Sequence, residues 1–241
     1  MNRKTFLKAS ALAMLFFSGI ASSIEHENVN KKTFTVTLGS SRVIYKEGTQ
    51  GGSLSINNPQ DYPILVQSMV FSEDKKGRAP FIVTPPLFRL DAKQQSRLRI
   101  VKSGNIPATD RETLYWLCVK GVPPDDDKQN SVSKGRSEIN IDVMVSICSK
   151  MIYRPAQVNG DLISAAQKLH WEINGNKLNV ENPTPFYMNI NSVSVGGKPV
   201  TIADYIAPFG HKQYVSPGKG AVEWDILTDL GGVSKKFYEN K

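Results

Sequence analysis

Cys118 and Cys148, the imidazoles of His26, His170 and His211, and the run Asp125-Asp126-Asp127 are the side chains of this 241-residue sequence best suited to chemistry. Two thiols and three imidazoles cannot build a cysteine-rich zinc module. The acid run lacks the spaced oxygens and the bidentate glutamate of a calcium loop, so it reads as solvated, and no metal site is expected. No G-x-S-x-G elbow, phosphate loop, H-E-x-x-H or G-x-G-x-x-G is present. His170 alternates within a strand-like run beside Trp171, where a satisfied structural role fits, and His211 follows Phe209-Gly210 in a loop. A cysteine–histidine hydrolase would need a reduced thiol. With no nucleophile–base pair on offer, neither enzymatic activity nor a cofactor is expected.

The most informative spacing is apolar. Ile139, Ile141, Val143, Val145 and Ile147 occupy five successive odd positions. Side chains on a strand alternate between faces, so all five project from one side. Pattern alone favours an ordinary core strand, with a binding stripe as the other reading.

These residues need positioning elements, and the compartment comes first. Arg3, Lys4 and Lys8 precede the apolar or small run Ala9–Ala21, and Ala21-Ser22-Ser23 supplies small residues for cleavage. That order is a secretory signal peptide over residues 1–23, and the run is too short for a comfortable transmembrane helix. Its removal takes away three bases and no acid, lowering the formal charge from +8 to +5. The remaining bases are scattered rather than gathered in a stripe, so no nucleic-acid partner is expected. In an oxidising compartment an even cysteine pair normally bonds. A Cys118–Cys148 bridge closes a loop of about 30 residues, worth roughly 3–4 kcal/mol in the chain-entropy model.

Short alternating or β-branched runs separated by Gly, Pro and Asn indicate an all-β protein. The expected strands include Phe34–Leu38, Arg42–Tyr45, Leu54–Ile56, Ile64–Phe71, Phe81–Val83, Ser96–Val101, Leu114–Val119 and Ile139–Ile147. Tyr153-Arg154-Pro155 reads as a hinge. Beyond it, Leu169–Ile173 and Lys177–Val180 flank Asn174-Gly175, a hairpin signal. Phe186–Ile190, Ser192–Val195 and Ala221–Ile226 follow. Two β-sandwiches joined near Arg154, residues 24–154 and 155–241, are the natural reading, although strand spacing alone does not separate a sandwich from a barrel.

At this point the residues resemble a family. Asp110–Pro123 (DRETLYWLCVKGVP) is similar to the signature of periplasmic pilus-assembly (PapD-like, chaperone–usher) chaperones. Lys150–Pro155 resembles their interdomain hinge motif and Asn182–Tyr187 the matching second-domain segment; Thr84–Leu90 and Arg42–Tyr45 also fit. Pro107 stands where the first signature position usually carries a larger apolar residue, which points to a shifted loop register. The cysteine pair and the polar segment between Gly121 and Ser137 resemble a branch with an extended loop between the last two strands of the first domain. Its members serve capsule-like or afimbrial adhesin fibres more often than thick rod pili, and the bridge would join those two strands.

The resemblance implies two immunoglobulin-like sandwiches set at an angle around a cleft. It also implies a periplasmic chaperone that caps fimbrial or afimbrial adhesin subunits and delivers them to an outer-membrane usher. Such clients lack a final strand and expose an apolar groove beside open strand edges, an aggregation hazard. A lent strand satisfies both faults, and Ile139, Ile141, Val143, Val145 and Ile147 become the donated stripe. Burying five such side chains is worth about 7–15 kcal/mol gross, before ordering and association costs. Arg42 and Lys150 fall on the family's paired bases for the client's C-terminal carboxylate, which would fix strand register. Glu112, Arg154 and Asp229 match its interdomain salt-bridge set. The open edge also gives the free protein a reason to self-associate. A structural fibre subunit or adhesin is the alternative for an exported β protein with one disulfide.

Overall fold

Alternating runs with one apolar face become strands because each can bury that face only against another layer. The computed structural model describes residues 28–124, 138–202 and 205–239. The expected signal segment, His26 and the polar stretch 125–137 lie outside the described residues.

The first half of the chain contributes eleven strands: β1 (Asn28–Phe34), β2 (Thr37–Leu38), β3 (Arg42–Lys46), β4 (Gly52–Asn57), β5 (Ile64–Ser72), β6 (Phe81–Thr84), β7 (Leu87–Leu90), β8 (Gln95–Lys102), β9 (Thr113–Val122), β10 (Glu138–Met144) and β11 (Ser146–Arg154). The sheet ordered β3-β11-β9-β5-β7 and the sheet ordered β2-β4-β8-β6 enclose one core. Leu54, Ile56, Leu98 and Ile100 enter it from one side, and Ile64, Val66, Leu117, Val119, Met151 and Tyr153 from the other. Ile106 is buried there as well, so the apolar position vacated at Pro107 is filled one residue earlier.

Two expected strands are broken, each where the chain changes partner. Phe34–Leu38 is not continuous: β1 starts at Asn28 and pairs parallel with β10, whereas β2 pairs with β4 in the other sheet. Ile139–Ile147 is interrupted at Val145, whose N–H donates to the Phe34 carbonyl at 2.9 Å. The crossing is tight. A Cβ on Gly121 would lie 2.5 Å from the Phe34 carbonyl carbon, so no other residue fits without backbone movement. The Tyr62 hydroxyl further clamps β1, donating to the Thr33 carbonyl at 2.9 Å.

After Pro155 come α1 (Leu162–Ala166), β12 (His170–Asn174), β13 (Lys177–Glu181), β14 (Met188–Val195), β15 (Lys198–Pro199), β16 (Tyr205–Ile206), β17 (His211–Val215), β18 (Val222–Ile226) and β19 (Phe237–Glu239). The β12-β13-β17 sheet and the sheet built on β14 and β18 enclose a second core that includes Trp171, Leu178, Met188, Val193 and Trp224. Asn174 and Lys177 close the β12–β13 hairpin, with Gly175 at φ +64°. The one-turn α1 was not legible as a helix. It is capped by Asp161, whose carboxylate accepts from Ser164 N–H, and its Ala166 carbonyl accepts from the Trp224 indole at 3.2 Å.

The protein is thus almost wholly β, built as two sandwiches, and a third apolar cluster joins them. Leu114 and Ile152 from the first pack with Tyr187 from the second. This explains why β9 is buried on both faces. Tyr115, Leu117 and Val119 face the first core, while Leu114 faces the second sandwich.

Candidate functional site

Cross-strand register sets one row of the site. Arg42 on β3 lies opposite Lys150 on β11, Lys150 lies opposite Trp116 on β9, and Trp116 lies opposite Phe71 on β5. Residues paired in this way share a sheet face, so two cations stand side by side next to an indole, on the face turned toward the second sandwich. Arg42 is only 6% exposed, its Nη1 donates to the Leu227 carbonyl at 3.2 Å, and its buried Nε has no hydrogen-bond partner among the described residues. Burial pushes the Arg42 guanidinium down from its ordinary value, with Asp229 opposing. Lys150 Nζ donates to Asn189 Oδ1 at 2.9 Å and sits 4.8 Å from the centre of the Tyr205 ring. Both cations therefore contact acceptors of the second sandwich, which sequence reasoning did not single out.

A third cation fastens the sandwiches. Arg154 Nε donates to Glu112 Oε1 at 2.6 Å, and its two terminal nitrogens bond both oxygens of Asp229 at 2.7 and 2.9 Å. Glu112 Oε2 also accepts from the backbone N–H of Tyr187 at 2.7 Å. Burial pushes Glu112 up to about 7, against the opposing pull of Arg154 and the Tyr187 N–H. The bidentate pair and planar guanidinium give this node defined geometry, not only charge.

The apolar stripe lies at the far end of β11. Ile139, Ile141 and Val143 share one face of β10, with Ile139 40% and Ile141 43% exposed. Val145 sits in the break, and Ile147 is half-buried opposite the core residue Val119, at the inner end of the run. Among the described residues β10 pairs only with β1, which places Val29, Lys31 and Thr33 beside Ile139, Ile141 and Val143. The contribution of β1 was missed because Asn28–Lys32 carry a single apolar residue. Cys118 and Cys148 are bonded across the register of β9 and β11, two residues along the strand from Lys150. His170 is solvent-exposed, its Nδ1 3.2 Å from Glu239, and His211 is exposed on β17.

Two sandwiches joined through a buried arginine, with two cations side by side between them and an apolar strand whose second edge is unpaired among the described residues, are the features to set beside known proteins. The chain belongs to the PapD family. Residues 35–159 match the model for the pili and flagellar-assembly chaperone PapD N-terminal domain, and residues 164–238 that for the pili assembly chaperone PapD C-terminal domain. It is 48% identical to the chaperone protein AggD of Escherichia coli over 98% of both chains. Among solved structures it resembles the E. coli chaperone DraB, at 46% identity and TM-score 0.81, covering 88% of this chain and 99% of that one. It also resembles the chain in a complex of Salmonella enterica SafA pilin with the SafB chaperone, at 50% identity and TM-score 0.78, with the same coverage. Membership of a chaperone family sets aside the fibre-subunit alternative.

Proposed function

We propose that this protein caps a fimbrial or afimbrial adhesin subunit in the periplasm by lending it β10, and passes it to an outer-membrane usher. The observation that carries the reading is the row Ile139, Ile141 and Val143, partly exposed, on a strand that among the described residues has one edge unpaired. An incomplete sandwich supplies what that row lacks, a strand edge and an apolar groove. Val145 and Ile147 continue the donated stripe toward the cleft. There Arg42 and Lys150 receive the client's C-terminal carboxylate, which exchanges the Leu227 and Asn189 acceptors for a full negative charge. Arg154, Glu112 and Asp229 hold the angle between units 24–154 and 155–241, so that anchor and stripe stay in register. Residues 1–23 act as the cleaved export signal.

The test is native mass spectrometry of protein purified from the periplasm of a fibre-expressing host, wild type beside Arg42→Ala and Lys150→Ala. A one-to-one complex with a small exported β subunit, lost in both variants, supports the reading. A lone wild-type chain, with equal subunit yield in all three strains, overturns it. SafA pilin, the partner in the solved Salmonella complex, serves as the purified probe.

A further inference from the structure

Glu73 directly follows β5 and was not singled out by any sequence pattern. Its loop is tightly organised. Ser72 N–H donates to the Gly77 carbonyl at 2.9 Å, Lys75 N–H returns to the Ser72 carbonyl at 2.9 Å, and Asp74 accepts from the Ser72 hydroxyl at 2.6 Å. The Trp116 indole N–H donates to the Glu73 carbonyl at 2.9 Å, and the Lys75 ammonium sits 4.0 Å from the centre of the Trp116 ring. The backbone of Glu73 is thereby fixed before its side chain makes any contact.

That side chain reaches the second sandwich. One carboxylate oxygen accepts from the Tyr205 hydroxyl at 2.7 Å and the other from the Tyr187 hydroxyl at 3.2 Å. The two rings meet edge-on at 5.4 Å. Burial and the charge of Glu73 push the Tyr187 hydroxyl far up, so it stays a donor at any physiological pH. Tyr205 in turn lies under two ammoniums, Lys150 at 4.8 Å and Lys212 at 5.1 Å from its ring centre. A phenol that donates to a carboxylate carries a more electron-rich ring, which strengthens its attraction for cations.

We infer that Glu73, Tyr187 and Tyr205 form a second interdomain latch, distinct from the Arg154 node, and that the latch places the Tyr205 ring so as to position the Lys150 ammonium. The second clause rests on the reading of Lys150 as the carboxylate anchor; the first does not. The latch and the node meet at Tyr187, which gives its backbone N–H to Glu112 and its hydroxyl to Glu73. Replacing the tyrosine by phenylalanine therefore removes the latch bond and leaves the node bond in place.

The experiment uses the full mature chain with spin labels at Gln95→Cys and Glu172→Cys, exposed sites on the two sandwiches. Distances are measured without client, and SafA pilin affinity is measured separately. Tyr187→Phe combined with Tyr205→Phe, and Glu73→Ala alone, are expected to broaden the interlabel distance distribution and weaken pilin binding about three- to tenfold. Glu73→Gln, still an acceptor, is expected to recover most of the narrow distribution. Distributions superimposable on wild type in both the double variant and Glu73→Ala overturn the latch. Broadened distances with unchanged affinity overturn the positioning of Lys150. If Lys150→Met itself binds pilin as wild type does, the anchor reading fails, and the distances alone still decide the latch.

Discussion

Lys150→Met isolates the proposed anchor. The side chain is half-buried, its ammonium donates to Asn189 Oδ1 at 2.9 Å, and it stands in register with Arg42. Methionine keeps the stem and its packing, while the variant loses the bond to the Asn189 amide, about 1 kcal/mol, with the ammonium's contact on the Tyr205 ring, and recovers part of the cost of holding a half-buried ammonium. Stability should therefore change by less than about 1 kcal/mol. Client binding should change far more. A charge-assisted bond to a carboxylate in a cleft shielded from water contributes about 2–3 kcal/mol, or roughly a 30- to 150-fold loss of affinity. The assay is a double-mutant cycle with a synthetic peptide of the SafA pilin's last strand, ending in a free carboxylate or in a carboxamide. Wild type should prefer the carboxylate by that factor, and Lys150→Met should prefer it far less. Equal preference in the two proteins refutes the reasoning, since it would mean that the ammonium does not sense the terminal charge.

Three further outcomes are expected. Val143→Glu places a charge on the half-buried stripe, so client yield in the periplasm should collapse while the urea midpoint of the free protein stays near wild type; unchanged yield would remove Val143 from the donated face. Glu112, pushed up to about 7 by burial, favours the protonated form in the folded state, so its contribution is full below about pH 4.5 and is lost as the pH rises through 7. The urea stability of wild type relative to Glu112→Gln should accordingly fall as the pH rises from about 4.5 to about 8, and a flat difference contradicts this. Cys118→Ala with Cys148→Ala opens the bridge between β9 and β11 and should cost roughly 3–4 kcal/mol by urea unfolding, a loss under 1 kcal/mol showing that the strand pairing alone holds the loop.

The arrangement of the cations carries a mechanistic consequence. Arg42 and Lys150 already contact a carbonyl and an amide oxygen of the second sandwich. These neutral acceptors help hold the two side chains in place, and among the described residues Arg42 Nε has no hydrogen-bond partner. On the proposed anchor reading, a terminal carboxylate would meet cations whose rotamer entropy is already largely lost. On the same reading, the Arg154 bonds to Glu112 and Asp229 would serve that end, because the acceptors and the cations come from different sandwiches.

Periodicity was enough to show that the chain is all-β and that Ile139, Ile141 and Val143 share one strand face, because alternation on a strand is a local property. The end of β11 before Pro155 and the Asn174-Gly175 hairpin were legible for the same reason: proline and glycine restrict or release the backbone wherever they stand. The roles proposed for Arg42, Lys150, Glu112, Arg154 and Asp229 came only with the family resemblance, since an isolated charge carries no periodic signal. Tertiary structure alone decided the rest. The breaks at Thr35-Val36 and Val145, and the pairing of β1 with β10, follow from which sheet edge the chain meets and from the bare backbone of Gly121. Likewise Glu73, Tyr187, Asn189, Tyr205 and Leu227 acquire their partners by packing of one sandwich on the other, across separations of 39 to 185 residues that no local pattern can encode.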